Sequence, residues 1–190
     1  MKKYFEKTEK RITYAMILHT APIFLRQINV YNMILKKEEL LKMGAFEARV
    51  KECQKNVYPE MNALVRERWE REMDWIRLQH LEDGFLEMWN IVDEARTTMK
   101  ATIGNAHRGL ENSMVAYCLG LTATNPLPDE GLPEFPFPDI NLPLNVGVTI
   151  DNENRNRLVQ LAEVVYGKAM MRYGLPILKL NGIILEFFRC

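Results

Sequence analysis

The feature that most constrains the fold is a stretch from Pro59 to Leu121 that contains no proline after its first residue. Proline is tolerated at the first position of a helix because its missing N–H would have no intrahelical partner there, so Pro59 predicts a helix start. Apolar residues then recur in steps of three and four, which is typical of a buried helix face. A second apolar stripe, rotated from the first, begins near Trp75. The pattern therefore predicts helices that are covered on two sides.

Charged residues occupy the remaining face of this stretch. They form i,i+4 pairs, each stabilising a helix by ~0.2–0.5 kcal/mol when exposed. The pairs are Glu67/Arg71, Arg66/Glu70 and Arg68/Glu72. Glu82-Asp83-Gly84 is the expected interruption, because glycine costs a helix ~1 kcal/mol relative to alanine, and Gly104-Asn105 is the second. Two arrangements remain open: the stretch folds back near Gly84, or it continues as one long helix.

The composition changes between Asn125 and Pro143, where six of the nine prolines lie and no basic residue occurs. Proline at this density excludes helix and inner strand and favours an extended, polyproline-like arm. Apolar side chains recur along the arm, so we expect them to lie in grooves, either on this protein or on a neighbouring subunit. These predicted interface residues are Leu127, Leu132, Phe135, Phe137, Ile140 and Leu142.

The C-terminal part combines strand and helix signals. Leu144 to Ile150 alternates as a strand does, and Asp151 is a suitable cap for a helix from Asn152 to Tyr173 that ends at Gly174. Asn181-Gly182 between apolar runs is the strongest short-range signal for a β-hairpin. A lone hairpin is marginally stable, so we expect residues 144–150 to add a third strand.

The free edge of this sheet is a second expected interface, because unpaired strand edges accept further chains. The residues assigned to it are Ile177, Ile184 and Phe187. The predicted fold class is mainly α (α+β), a bundle of long helices with an arm and a small antiparallel sheet. The predicted division is a helical bundle over 1–121, the arm over 122–143, and the strand, helix and hairpin over 144–190.

Charge and cysteine content limit the binding partners and the cellular location expected for the protein. Lys plus Arg and Asp plus Glu both number 25, so no overall field draws the chain to nucleic acid or to a membrane. Three cysteines without a C-x-x-C pair indicate reduced thiols. The apolar run from Ile12 to Leu25 is too short to span a bilayer. We therefore expect a cytoplasmic protein.

Signatures of chemistry are missing from the sequence. It contains no H-E-x-x-H, no phosphate-binding loop, no G-x-G-x-x-G and no nucleophile elbow. An acidic group on the predicted helix is interpreted as a solvated face rather than a cation site; its members are Glu82, Asp83, Glu87, Asp93 and Glu94. We therefore expect no enzyme activity, no catalytic or metal-binding residue, no cofactor and no specific nucleic-acid partner.

In outline, the helices with two apolar faces, the arm and the open sheet edge resemble the connector or adaptor subunits that form rings in the neck of tailed phages. That resemblance implies a structural homo-oligomer that joins other structural subunits of a larger assembly and is built into a virion in the cytoplasm. The alternative is a monomeric cytosolic helical adaptor or regulator. A third hypothesis is an enzyme or ligand-binding bundle with a site built from scattered residues such as His19, His80 and Trp69.

Overall fold

In the computed structural model, the chain combines helices with one four-stranded sheet. This architecture confirms the predicted α+β class. The described residues are 30–35, 37–38, 44–104, 108, 110–127 and 143–189. Residues 30–35 and 37–38 are helical. The elements that follow are α1 (Ala45–Val57), α2 (Ala63–Leu78), α3 (Glu82–Thr97), α4 (Met114–Cys118), β1 (Leu144–Ile150), α5 (Asn152–Tyr166), β2 (Met170–Arg172), β3 (Leu175–Lys179) and β4 (Ile183–Arg189).

The predicted hairpin is present, and its turn residues explain it. β3 and β4 are antiparallel with Leu178 opposite Leu185. The backbone N–H of Leu180 donates to the carbonyl oxygen of Ile183 at 2.8 Å, which closes a two-residue turn. Gly182 has φ 71°, a conformation that side chains with a Cβ rarely adopt.

The predicted third strand is also present. β1 pairs with β4 in parallel, and the sheet order is β1-β4-β3-β2. The side chain of Asp151 accepts a hydrogen bond from the backbone N–H of Asn154, so it caps α5 as expected. The helix returns the chain across the sheet, which is why β1 and β4 can run in the same direction.

The long central stretch is not one helix. α2 ends at Leu78, and His80 has φ 53°, so the helix breaks there rather than at Gly84. Gly84 instead lies in the first turns of α3, against the hairpin. A Cβ at Gly84 would come within 2.1 Å of the carbonyl oxygen of Asn181. Gly84 allows helix α3 and the hairpin to approach closely. The glycine in the sequence therefore reflects this contact and not a break in the helix.

The last helix is shorter than predicted. α5 ends at Tyr166, followed by Gly167 at φ 106°. The chain then forms β2, and Tyr173 and Gly174, both at positive φ, make the turn into β3. Gly174 is therefore a hairpin-turn residue and not a helix stop. The prediction was wrong here because a glycine between apolar runs fits both kinds of turn.

The core lies between one face of the sheet and the helices. α5 packs on β3 and β4, and α3 packs on α5 and β4. Residues that alternate along the strands supply the sheet's contribution, as expected for a pleated sheet with one covered face. They include Val146, Val148, Leu178, Leu185 and Phe187, all 1 % exposed or less.

The Arg68/Glu72 pair is buried, which corrects its prediction as an exposed ion pair. Arg68 is 4 % exposed and Glu72 is 0 % exposed. Glu72 accepts hydrogen bonds from the Ser113 hydroxyl and from the backbone N–H groups of Met114, at 2.9 Å, and Val115, at 3.2 Å. Its carboxylate therefore occupies the start of α4, where unpaired helix N–H groups favour an anion.

Arg68 completes this Glu72 cluster. Its guanidinium donates to the carbonyl oxygen of Asn112 at 2.6 Å and to that of Pro126 at 3.3 Å. Burial raises the pKa of Glu72, while the hydrogen bonds it accepts and the charge of Arg68 act in the opposite direction. The helical periodicity could not reveal that another segment covers this face of α2.

Two members of the predicted acidic face are buried as well. Glu87 is 7 % exposed and Glu94 is 1 % exposed. The Glu87 carboxylate accepts hydrogen bonds from the backbone N–H and the side-chain amide of Asn181, both at 3.1 Å. Burial raises the pKa of Glu87, and the bonds from Asn181 oppose that effect. The interpretation as a solvated face is wrong for these two residues, because α3 lies between the helices and the hairpin.

Candidate functional site

The second face of the sheet carries polar groups at its centre. The pairing register places alternate residues of β1 and β4 on it. From β1 these are Asn145, Gly147 and Thr149, and from β4 they are Ile184, Glu186 and Phe188. This face differs from the core face because it includes a carboxylate in the middle of an apolar strand.

Glu186 is paired with two arginines. It is 3 % exposed. One carboxylate oxygen lies 2.5 Å from a guanidinium nitrogen of Arg108, and the other lies 3.5 Å from a guanidinium nitrogen of Arg172. The arginine side chains remain open to solvent, with exposures of 52 % for Arg108 and 44 % for Arg172. The anion is buried while both cations reach the surface.

The arginine pair reaches across the sheet. Arg172 belongs to β2, at the opposite end of the sheet order from β1, yet its guanidinium donates to the side-chain oxygen of Asn145 at 3.1 Å. The long side chain of Arg172 thus extends over the two intervening strands, β3 and β4, and meets Glu186 and Asn145 on one face. Sheets of short strands are ordinarily twisted and coiled, and the face that bears Glu186 is called the concave face below.

Arg108 enters the site from the segment that precedes α4. Its guanidinium lies over the ring of Phe188, 4.8 Å from the ring centroid. Its backbone N–H donates to the carboxylate of Glu111, and its φ is 62°. Stacking on the ring and the bond to Glu186 fix two sides of the guanidinium.

This arrangement suits an anion with several oxygens. Each guanidinium offers five N–H donors in a planar fork, and Glu186 and Asn145 accept only part of them. Arg108, Arg172 and Glu186 together carry a net positive charge, while the Glu111 carboxylate is bound to the backbone N–H of Arg108. Arginine is well matched to phosphate because its fork can donate two parallel hydrogen bonds. The concave face can therefore bind phosphate groups.

Of the residues predicted to form interfaces, Ile177 and Ile184 lie on the same face as Glu186, and the others lie elsewhere or outside the described part. Leu127 is partly buried against the cluster of Tyr58, Met114 and Cys118. Ile177 and Ile184 are buried at 4 % and 7 % exposure, and Phe187 is in the core at 0 %. Five arm residues fall outside the described residues: Leu132, Phe135, Phe137, Ile140 and Leu142. The role of these residues at an interface, and the predicted division into 1–121, 122–143 and 144–190, stay predictions.

Arg108, Arg172 and Glu186 are not recognisable as a group from the sequence. Arg108 and Glu186 are 78 residues apart along the chain, and only the strand order brings them together. One signal was available: a single glutamate inside the apolar run of β4. A carboxylate at such a position needs a cationic partner, because burying an unpaired charge is strongly unfavourable.

The cysteines in the described part belong to the core region. Cys53 and Cys118 are free thiols that pack in or beside the cluster of Tyr58 and Met114. Burial raises the pKa of Cys118 to about 12, and the neighbouring Cys53 acts in the same direction. A thiol with so high a pKa is a poor nucleophile at neutral pH, which fits a packing role.

A comparison with protein families matches residues 44–175, more than half of the chain, to the bacterial DNA polymerase III alpha NTPase domain. The chain belongs to this family. The matched segment contains Arg108 and Arg172 and ends before β4, so Glu186 lies beyond it.

Individual relatives agree with the family. The chain is 31 % identical over 99 residues to an error-prone DNA polymerase of Idiomarina loihiensis, covering 52 % of this chain and 9 % of the relative. It is 30 % identical over 113 residues to error-prone DNA polymerases of Bordetella parapertussis and Bordetella bronchiseptica, covering 58 % of this chain and 11 % of each relative. The chain thus spans about a tenth of the length of these relatives.

These findings correct the functional predictions. The resemblance to phage connector subunits is wrong, because the family is one of DNA polymerases. The expectations of a non-enzymatic structural homo-oligomer and of no nucleic-acid partner are wrong for the same reason, since the relatives are enzymes that act on DNA. The architecture misled because helices, an arm and an open edge describe a fold, and a fold does not specify function.

Membership of a polymerase family raises the question of metal ions. Polymerases commonly use two divalent cations held by carboxylates. Among the described residues, no group of three or more His, Cys, Asp or Glu side chains could hold a metal ion. At the concave face the carboxylate of Glu186 is already bound by two arginines. The described residues therefore do not fit a pair of metal ions.

The described helices are also too short or too polar to cross a membrane.

Proposed function

We propose that this chain takes part in DNA synthesis of the DNA polymerase III alpha type and binds nucleotide phosphates on the concave face of its sheet. The phosphates belong either to a DNA strand or to a nucleoside triphosphate, which present the same chemistry. Arg108 and Arg172 are the ligands in this proposal. The observation that carries it is the pair of half-exposed arginines held by the buried carboxylate of Glu186.

Three features support phosphate binding at this place. The arginines come from separate elements, the segment before α4 and β2, and converge on one carboxylate. Both guanidinium groups lie within 3.5 Å of the same carboxylate on one face of the sheet, so a ligand can contact both at once. Both arginines lie in the segment matched to a family described as an NTPase domain. Preorganised cations bind phosphate better than mobile surface cations because less side-chain entropy is lost.

The proposal also bears on location. A chain that acts on bacterial DNA does so in the cytoplasm, so the proposed function agrees with the cytoplasmic location predicted from the sequence. Assembly into a virion has no support from the family or its relatives.

The test is direct binding, measured by fluorescence anisotropy with a labelled primer-template duplex and, separately, with a labelled nucleoside triphosphate. Wild-type chain is compared with Arg108→Ala and Arg172→Ala. Each substitution removes a charge-assisted contact worth ~1.5–3 kcal/mol, so we expect binding to weaken by roughly 10- to 100-fold. The matched control is Arg66→Ala, which removes an exposed arginine of α2 and should leave binding within twofold.

The two ligands separate the two sources of phosphate. Stronger dependence on Arg108 and Arg172 for the duplex would assign the face to a DNA strand, and stronger dependence for the triphosphate would assign it to a nucleotide. Wild-type chain that binds neither ligand at low salt would overturn the proposal. So would binding that Arg66→Ala weakens as much as the two site variants do, because this is the behaviour of unspecific charge attraction.

A further inference from the structure

The carboxylate at the centre of the arginine pair is itself an anion in a phosphate-binding site. Glu186 is 3 % exposed and contacts both arginines, so its negative charge is poorly screened by water. It also lies outside the segment that matches the family, which ends at residue 175. A site that binds phosphate therefore contains its own competing anion, contributed by β4, which follows the matched segment.

We infer that Glu186 is an internal competitor that weakens phosphate binding at Arg108 and Arg172. The inference rests on the proposed function of this face. It follows from charge and geometry. Glu186 offsets one of the two positive charges and occupies donors of each guanidinium that face the sheet. A phosphate approaching from solvent meets the outer donors, and it is repelled by the carboxylate behind them.

The size of the effect follows from Coulomb's law. A phosphate bound to the outer donors would lie ~8 Å from the carboxylate, and at an effective dielectric constant of ~20 the repulsion is large enough to lower affinity about tenfold after screening. The opposing contribution is the fixing of the arginines by Glu186. Arg172 keeps its bond to Asn145 and Arg108 keeps its stacking on Phe188 when the charge of Glu186 is removed. The charge effect therefore exceeds the loss of order.

The experiment measures triphosphate and duplex binding by Glu186→Gln, which keeps the shape of the side chain and removes its charge. We expect dissociation constants about tenfold lower than those of wild-type chain at low salt, with the difference shrinking as salt rises. The matched control is Glu67→Gln, an exposed glutamate of α2, which changes the net charge equally and should change binding less than twofold.

A second variant, Glu186→Met, has similar volume and carries no amide donors that could repel the arginines. Tighter binding by both variants than by wild-type chain supports the inference. Unchanged or weaker binding by both variants, with wild-type binding that still depends on Arg108 and Arg172, overturns the inference and leaves the proposed function standing. Absence of binding by every protein overturns both.

Discussion

Two regions of the molecule bring together arginine and glutamate, and they differ in which partner reaches solvent. In the Glu72 cluster both charges are buried, and backbone groups of α4 and of neighbouring segments take up their hydrogen bonds. At the concave face only the carboxylate of Glu186 is buried, and both arginines are about half exposed. The same residue types therefore hold two segments together in one region and present donors to solvent in the other.

The comparison shows why a residue pair alone does not indicate function. A fully enclosed pair offers no donor that a ligand in solvent can reach, and it contributes through the segments it connects. A pair with exposed cations retains donors on the solvent side. Exposure of the individual partners, rather than the pairing itself, separates structural from binding clusters.

The largest expected effect tests the structural side. Glu72→Ala removes the hydrogen-bond acceptor for Ser113, Met114 and Val115. It also removes the carboxylate whose negative charge lies near the buried guanidinium of Arg68. Breaking a buried pair by removing one partner costs about 3–5 kcal/mol, so we expect the free energy of unfolding in urea to fall by that amount. Glu70→Ala, at an exposed position of the same helix, should change it by less than about 0.5 kcal/mol. Equal losses in both variants would contradict the distinction between the two regions.

A pH titration of stability sharpens the comparison. Burial raises the pKa of Glu72 above its ordinary value of 4.5, so between the two values the folded state keeps a proton that the unfolded state has released. The free energy of unfolding contributed by this group therefore falls as pH rises through that window, by at most ~1.4 kcal/mol per pH unit. In Glu72→Gln this contribution is absent. We expect the stability of wild type relative to this variant to decrease from pH 4.5 upward, and a relative stability that rises with pH would show that the sign is wrong.

The smallest expected effect lies at the concave face. Arg172→Ala removes a half-exposed partner of Glu186, and Arg108 remains bound at 2.5 Å. Exposed ion pairs contribute ~0.2–1 kcal/mol, so the free energy of unfolding should fall by less than about 1 kcal/mol while phosphate binding weakens. A loss above ~2 kcal/mol, measured by the same urea titration, would place Arg172 with the structural cluster.

Local patterns predicted much of the fold near the C-terminus. Asn181-Gly182 set the hairpin, the alternation of residues 144–150 gave β1, and Asp151 capped α5, because each feature depends on neighbours within a few residues. The central stretch was harder. Its periodicity predicted helices but placed the break at Gly84 instead of at His80. Gly84 is required by the approach of the hairpin, a contact across about a hundred residues that no local window contains.

The candidate site was not predictable in the same way. Glu186 could have been noticed as a carboxylate in an apolar strand, but its partners depend on the strand order and the curl of the sheet. The charge pair of Arg68 and Glu72 had the spacing of an exposed pair and is buried, because α4 and the segment after it cover that face. Sequence periodicity states which residues share a face and leaves open what lies against it.

The sequence by itself determined the strands of the hairpin, the cap of α5, the mixed fold class and the apolar faces that must be covered. These follow from turn chemistry, side-chain alternation and hydrophobic spacing, all of which act over short distances along the chain. Only the tertiary structure decided which carboxylates are enclosed and which arginines meet Glu186. Burial and charge pairing are properties of segments far apart in sequence, and their free energies exist only once those segments are in contact.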